Sequence, residues 1–149
     1  MASDISLRRA SMDDLEVLRE WRNDPLTREA SHNKNEVTRE EHEQWLKATL
    51  SNPNRQLYVA EENGIPVGTV RADFSDGSYE LSWTVTPKVR GRGIAKRMVA
   101  QLASQIKDTV RAEIKVGNTA SARIAENCGM KFEYEKDGVM YYRRPSAGE

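Results

Sequence analysis

Three dipeptides, Asn63-Gly64, Asp76-Gly77 and Asp137-Gly138, constrain what this chain can fold into more than any other feature. Each stands between short runs in which apolar and polar residues alternate. Asn-Gly and Asp-Gly suit the two-residue turn in which both central residues need positive φ. That turn joins antiparallel strands, because its twist matches theirs. The first two dipeptides therefore organise residues 57–61, 65–74 and 79–85 into a meander of three antiparallel strands. The third joins residues 130–135 to residues 139–143 in a final hairpin.

Helices fill the intervals. Residues 5–9 alternate like a first strand. Ser11 before Met12-Asp13-Asp14 and Thr38 before Arg39-Glu40-Glu41 are capping boxes, which satisfy the first free N–H groups of a helix. The first box opens a helix carrying Leu15, Leu18 and Trp21, which Asn23-Asp24-Pro25 stops. The second opens a helix with Trp45, Leu46 and Thr49 toward a core, ending near Asn52-Pro53. Residues 27–37 read as polar and irregular. Further on, Ile94, Met98, Leu102 and Ile106 recur every four residues, the buried stripe of an amphipathic helix over 94–106. Residues 110–116 alternate as a strand, and residues 118–127 form a shorter helix that Gly129 ends. The expected order is β-α-α-β-β-β-α-β-α-β-β in one domain over residues 1–144, with residues 145–149 as a disordered tail.

Charge and composition exclude several function classes. Lys plus Arg number 23 and Asp plus Glu number 23, so the net charge is near zero. General affinity for nucleic acid relies on a basic excess, so none is expected. No apolar run approaches the roughly 20 residues of a membrane span, and residues 1–10 have no apolar signal core. The expectation is a soluble cytoplasmic protein. Cys128 is the single cysteine, which rules out an intrachain disulfide and a cysteine-based metal cluster. His32 and His42 have no ligand spacing and read as surface or packing residues, so no metal is expected.

One segment carries chemistry. Arg90-Gly91-Arg92-Gly93-Ile94-Ala95-Lys96-Arg97 follows a strand-like run and opens the long helix. Glycines at such a turn let backbone N–H groups face a ligand, and a helix start favours anions. Lys88, Arg90, Arg92, Lys96 and Arg97 crowd there without an acidic residue. A first helical turn normally prefers Asp or Glu, so an anionic ligand is the natural source of the missing negative charge. The segment reads as a phosphate seat. The dinucleotide fingerprint fails, because its third small residue would fall at Lys96. The nucleoside-triphosphate loop has no match in the chain.

The element order and two motifs together resemble the GNAT superfamily of N-acetyltransferases. That family's coenzyme loop reads [QR]-x-x-G-x-[GA], which Arg90-Gly91-Arg92-Gly93-Ile94-Ala95 matches. Asn118-Thr119-Ala120-Ser121 and Cys128-Gly129-Met130 match its second signature. The resemblance spans nearly the whole chain. It implies an α+β fold with a mostly antiparallel mixed sheet and a splayed parallel pair at the cofactor cleft. It also implies acetyl-CoA as acyl donor. Backbone groups of Gly91, Arg92, Gly93, Ile94, Ala95 and Lys96 would hold the diphosphate. Trp83, Thr84 and Val85 on the strand edge, with Asn118 and Ser121, would take the pantetheine arm. Asn118 also suits a plain helix N-cap.

Direct acyl transfer needs a neutral amine, hence a base. Glu80, just upstream of the thioester position, is the first candidate, and Glu113 on the strand after the long helix is the second. Many relatives place a tyrosine acid seven residues after the Asn, but here that position is Ala125. Tyr141 or Tyr142 could serve instead, or the thiolate could leave unaided. The first two helices would cover the acceptor. There Trp21-Arg22-Asn23 resembles amino-sugar N-acetyltransferases, so Arg22 and Asn23 are candidate acceptor contacts. Arg22 reads more readily still as a cation at a helix C-terminus. The leading expectation is an N-acetyltransferase acting on a primary amine of a small molecule, such as a nucleotide-linked amino sugar. The alternatives are a protein or peptide N-terminal acetyltransferase and a non-catalytic acyl-CoA-binding module. Monomer and homodimer both remain open.

Overall fold

The structure, a computed structural model, describes residues 4–32 and 34–147. Among these residues, seven strands form one sheet in the order β1-β2-β3-β4-β5-β7-β6. They are β1 (Ile5–Arg9), β2 (Arg55–Glu62), β3 (Ile65–Ser75), β4 (Ser78–Val85), β5 (Thr109–Lys115), β6 (Lys131–Lys136) and β7 (Val139–Arg144). Every pairing is antiparallel except that of β4 with β5. The three Asx-Gly turns are built as their residue types require. Asn63, Asp76 and Asp137 have φ of 53°, 51° and 51°, and the glycines that follow have φ of 80°, 79° and 79°. Residues 145–147 return to the body of the fold, where the Ala147 N–H donates to the Lys107 carbonyl. Residues 1–3 and 148–149, at the two ends of the chain, lie outside the described residues.

Among the described residues, five α-helices flank the sheet: α1 (Leu15–Arg22), α2 (Pro25–Ala30), α3 (Arg39–Ser51), α4 (Ile94–Ala103) and α5 (Thr119–Asn127). Both capping boxes form, at Ser11 with Asp14 and at Thr38 with Glu41. The first caps a 3-10 turn, Met12–Asp14, that leads into α1. Helix α2 corrects the expectation of an irregular segment. Asp24-Pro25 ends α1 but also starts a new helix, because the Asp24 carboxylate accepts from the Thr27 N–H and Pro25 fits the first helical turn. Helix α4 stops at Ala103 rather than 106. Its tail tightens instead, with Gln105 and Ile106 donating to carbonyls three residues back.

Strand alternation gives the sheet two unlike faces. One is apolar and is closed by α4 and α5. Val70, Ala72, Leu81, Val110, Ala112 and Ile114 pack there against Ile94, Met98, Val99 and Leu102. The other face is apolar only over β2, where Leu57 and Val59 meet Leu15, Leu18, Trp21 and Leu46. From β3 to β7 that second face carries Arg71, Asp73, Glu80, Arg111, Glu113, Tyr141 and Arg143, by the strand registers. Gly68 fixes a close approach between β3, β4 and α4. A Cβ there would lie 2.6 Å from the Thr84 carbonyl oxygen and 3.0 Å from the Met98 sulfur.

Candidate active site

The parallel pairing of β4 with β5 covers only Ser78–Thr109, Tyr79–Val110 and Glu80–Arg111. Beyond it the strands part. Residues 81–85 pair only with β3, and residues 112–115 only with β7. A split therefore opens in the middle of the sheet, with an unpaired backbone edge on each side. Trp83, Thr84 and Val85 stand on one edge, with Trp83 and Val85 packed on the apolar face. Asn118, just past the end of β5, stands beyond the other edge. Its carboxamide oxygen accepts from the Ser121 N–H at 3.2 Å, so it caps α5 as the sequence allowed.

At the mouth of the split lies the glycine loop. Gly91 and Gly93 take φ of 84° and 74°, and a Cβ on either would meet nothing within 4 Å. Only glycine adopts this conformation readily, and the space before it is open. Gly93 is the N-cap of α4 and offers no side chain to its first N–H groups, while Ile94 is buried and anchors the turn. Those N–H groups, with exposed Lys96, form a cradle suited to a diphosphate. Two other loop cations are engaged within the protein. Arg92 pairs with the Glu62 carboxylate at 2.8 Å. Arg90 donates to Asp24 at 2.7 Å and to Thr27 at 3.0 Å, which ties the loop to the start of α2.

Glu80 is the last residue of β4 paired with β5, at the floor of the split and on the polar face. Arg111 Nη1 donates to its carboxylate at 2.8 Å, and Arg111 Nε donates to the Ser78 hydroxyl at 3.0 Å. The same guanidinium lies 3.8 Å from Glu113. Burial raises the Glu80 pKa above the ordinary glutamate value, the nearby Glu113 charge raises it further, and Arg111 works against both. Glu113 is one pleat further along β5, and its carboxylate lies 3.5 Å from His32 Nε2. The structure thus brings both candidate bases together around Arg111, a residue the sequence reading missed. Its pairing with Glu80 depends on the β4–β5 register, which no local pattern reveals.

Tyr141 lies opposite Glu113 on the polar face, whereas Tyr142 is buried on the other face. Burial and then the Glu113 charge raise the Tyr141 pKa above its ordinary value. Ala125 is fully buried in the core, where a tyrosine would not fit without repacking. Helix α2 bridges the two sides of the split. Arg90 holds its start, and Lys115 Nζ donates to the Glu29 carbonyl near its end. Arg22, in the last turn of α1, is pressed toward a lower pKa by burial and then by Arg28. The Asn23 carboxamide is engaged at both ends, donating to the Val37 carbonyl at 2.9 Å and accepting from its N–H at 2.7 Å. His42 is buried and stacked on Trp45 at 5.2 Å, so it is a packing residue. Among the described residues, no group of His, Cys, Asp and Glu is arranged to hold a metal ion, and no helix is long and apolar enough to cross a membrane.

Comparison with known proteins agrees with this architecture. A domain from Methanocaldococcus jannaschii superposes with a TM-score of 0.83 at 24% identity, covering 95% of this chain and 98% of that one. The aminoglycoside acetyltransferase AAC(6')-Ib, in complex with coenzyme A, gives 0.80 at 19% identity and covers 95% of each chain. Spermidine N-acetyltransferase from Vibrio cholerae, in complex with coenzyme A and spermine, gives 0.80 at 15% identity, over 93% and 92%. No curated protein sequence matches the chain significantly. The family model of the acetyltransferase (GNAT) domain matches residues 4–131, and with the split sheet and its glycine loop this establishes that the chain belongs to the GNAT acetyltransferase family.

Proposed function

We propose that this protein transfers the acetyl group of acetyl-CoA directly to a primary amine of a small molecule. The observation that carries the reading is the position of Glu80. It is a half-buried carboxylate with a raised pKa, on the last paired residue before the sheet opens. The coenzyme supplies the activated acetyl group. Backbone N–H groups from Gly91 to Lys96 hold its diphosphate, and the free edge of β4 at Trp83, Thr84 and Val85 lines its arm, with Asn118 and Ser121 opposite. A donor from that edge, aimed at the developing oxyanion, contributes roughly 3 kcal/mol in comparable sites.

Glu80 takes a proton from the ammonium form of the acceptor, directly or through water, with Glu113 as its neighbour and second candidate. The nitrogen forms a bond to the acyl carbon as the carbon–sulfur bond breaks. The departing thiolate takes a proton from Tyr141, a phenol protonated at neutral pH, and the second proton, lost by the nitrogen as the amide forms, passes through water to restore the phenol. An amino sugar is the first acceptor to try, on the strength of Trp21-Arg22-Asn23 beside the site. Solved enzymes of similar fold are named for aminoglycoside and spermidine acceptors, also amines. The test is thiol release from acetyl-CoA across a panel of amines. Amine-dependent release supports the reading. Tight coenzyme binding with no release for any amine would make the protein an acyl-CoA-binding module.

A further inference from the structure

Granted the acetyltransferase reading above, the site holds two candidate bases, and the contacts of Arg111 separate them. Arg111 is the last residue of β5 paired with β4, directly beside Glu80. Its Nε donates to the Ser78 hydroxyl at 3.0 Å, which fixes the guanidinium plane against the start of β4. Its Nη1 donates to Glu80 Oε1 at 2.8 Å. Glu80 Oε2 accepts no hydrogen bond from the described residues. Glu113 is held differently. Its Oε2 lies 3.8 Å from the same Nη1, beyond hydrogen-bond distance, and its Oε1 lies 3.5 Å from His32 Nε2. Each Glu113 oxygen thus faces a nitrogen at long range, whereas Glu80 has one oxygen firmly bound and one open.

The charges around Glu80 come from every element packed beside it. Asp73 stands opposite it in the β3–β4 ladder, where Arg71 donates to Asp73 at 3.0 Å and Arg55 of β2 lies 3.7 Å away. Glu113 is one pleat along β5, with Tyr141 of β7 opposite it, and Arg143 of β7 stands opposite Arg111. Arg22 ends α1, which packs on β4. Burial, then Glu113 and more weakly Asp73, disfavour the ionised form of Glu80, and Arg111 opposes them. Like charges directly opposite in a ladder are destabilising, so the carboxylate pair of Asp73 and Glu80 needs a cation on the Glu80 side. The bond from Arg111 supplies it.

From this geometry we propose that Arg111 is a positioning residue: it fixes Glu80 with Oε1 bound and Oε2 offered to the amine, keeps that carboxylate ionised, and so makes Glu80 rather than Glu113 the base. Arg111 acts through Glu80 and needs no contact with coenzyme or acceptor. Its bond spans the last rung before the strands part, so the carboxylate is anchored at the edge of the opening. A charge-assisted bond from a planar guanidinium sets orientation as well as charge. A lysine in its place keeps the charge but cannot bond Ser78 and Glu80 from one rigid plane.

Two measurements test this, one of them without any acceptor. In carbon NMR titrations of the whole protein, the Glu80 carboxyl, assigned through Glu80→Gln, should titrate at higher pH in Arg111→Gln than in the wild type, because a cation beside a carboxylate favours its charged form. The second uses the fastest amine of the panel, with glucosamine and spermidine included. There kcat/KM of Arg111→Gln should fall about tenfold or more at about pH 6, the loss should shrink as pH rises, and acetyl-CoA affinity should hold. Arg111→Lys should regain part of the loss. Glu113→Gln should move the acid limb the other way, and adding it to Arg111→Gln should bring the limb back. If Arg111→Gln does not fold, Ser78→Ala, which frees Nε and keeps the cation, should shift both readouts in the same direction by less. A loss uniform across pH, an unmoved Glu80 titration or a fall in acetyl-CoA affinity overturns the proposal. So does a folded Glu113→Gln without turnover, since Glu113 would then be the base. Amine turnover with a pH-independent loss sinks this inference alone. No thiol release for any amine while acetyl-CoA binds sinks the acetyltransferase reading with it.

Discussion

The two sides of the split are made of different materials. The side proposed for the coenzyme offers backbone: positive-φ glycines at 91 and 93, the start of α4 and the edge of residues 81–85 that faces away from β3. The side proposed for the acceptor offers side chains: Glu80, Arg111, Glu113, Tyr141 and Arg143 on one polar sheet face. A backbone site tolerates little change, because its ligand contacts come from groups every residue has and its geometry comes from residues nothing else replaces. A side-chain site can be rewritten one residue at a time while the sheet stays in place. The fold can therefore keep one donor while its acceptor changes.

Three substitutions test that division, and a fourth probes the scaffold that holds it. Gly93→Asp should have the largest effect, weakening coenzyme binding roughly a thousandfold, or about 4 kcal/mol. It puts a side chain at φ of 74° and a negative charge beside the diphosphate cradle. Calorimetric titration with acetyl-CoA checks it, and retained affinity would show that the loop is not the phosphate seat. Glu80→Gln should lower turnover roughly a hundredfold while leaving coenzyme affinity intact. In the wild type, activity needs ionised Glu80, so it should fall on the acid side, through a pH above the ordinary glutamate range. That acid limb should vanish or move in the variant. Unchanged turnover in Glu80→Gln removes the residue from the mechanism. A raised carboxyl pKa also means that the fold favours the protonated form. Stability drawn from Glu80 is thus present at low pH and lost as pH rises through that value. At neutral pH Glu80→Gln should accordingly be neutral or stabilising in a melt.

Asp14→Asn addresses the scaffold and neither side of the split. Asp14 is buried and takes two hydrogen bonds from Arg8, at 2.9 and 2.7 Å, together with the Ser11 N–H. Arg8 holds its pKa below the ordinary aspartate value, against the pull of burial. The stability it contributes is therefore present above pH ~4 and lost as pH falls below that. The variant should lose about 2 kcal/mol at neutral pH and show a flatter acid limb in unfolding titrations. A variant as stable as the parent would remove the buried pair from the list of stabilising contacts. Asp24→Ala should do least, about 1 kcal/mol, through loss of the α2 cap. It also cuts the Arg90 tie between the two sides, so the KM for the amine should rise a few-fold with little change in coenzyme affinity. An equal loss on both sides would show that the tie acts as one unit with the loop.

The same division explains what could be read from the chain. The Asx-Gly turns, both capping boxes and the glycine loop were legible because each is local and demands particular residues at fixed offsets. The meander and the last hairpin follow from turn chemistry alone. Helix α2 was obscured because Asp-Pro both ends one helix and starts another, and only the Thr27 N–H bonded to Asp24 decides between them. Arg111 was invisible as a partner of Glu80, since the contact spans 31 positions and depends on a parallel register three residues long. Arg90 with Asp24, 66 positions apart, is the same case. Charged residues alternating on a strand look alike whether they face bulk water or a substrate.

Gly68 touches no candidate reacting group, yet the width of the opening depends on it. Its backbone has no positive φ, so glycine is required there for room and not for conformation. A methyl group at that point would act as a wedge between β3 and the last residues of β4, pushing Thr84 out of line or displacing the Met98 side chain of α4. Gly68→Ala would thus present as a kinetic defect with every ligand-contacting residue unaltered. The tolerance of the cleft is set from behind, by an atom that is absent.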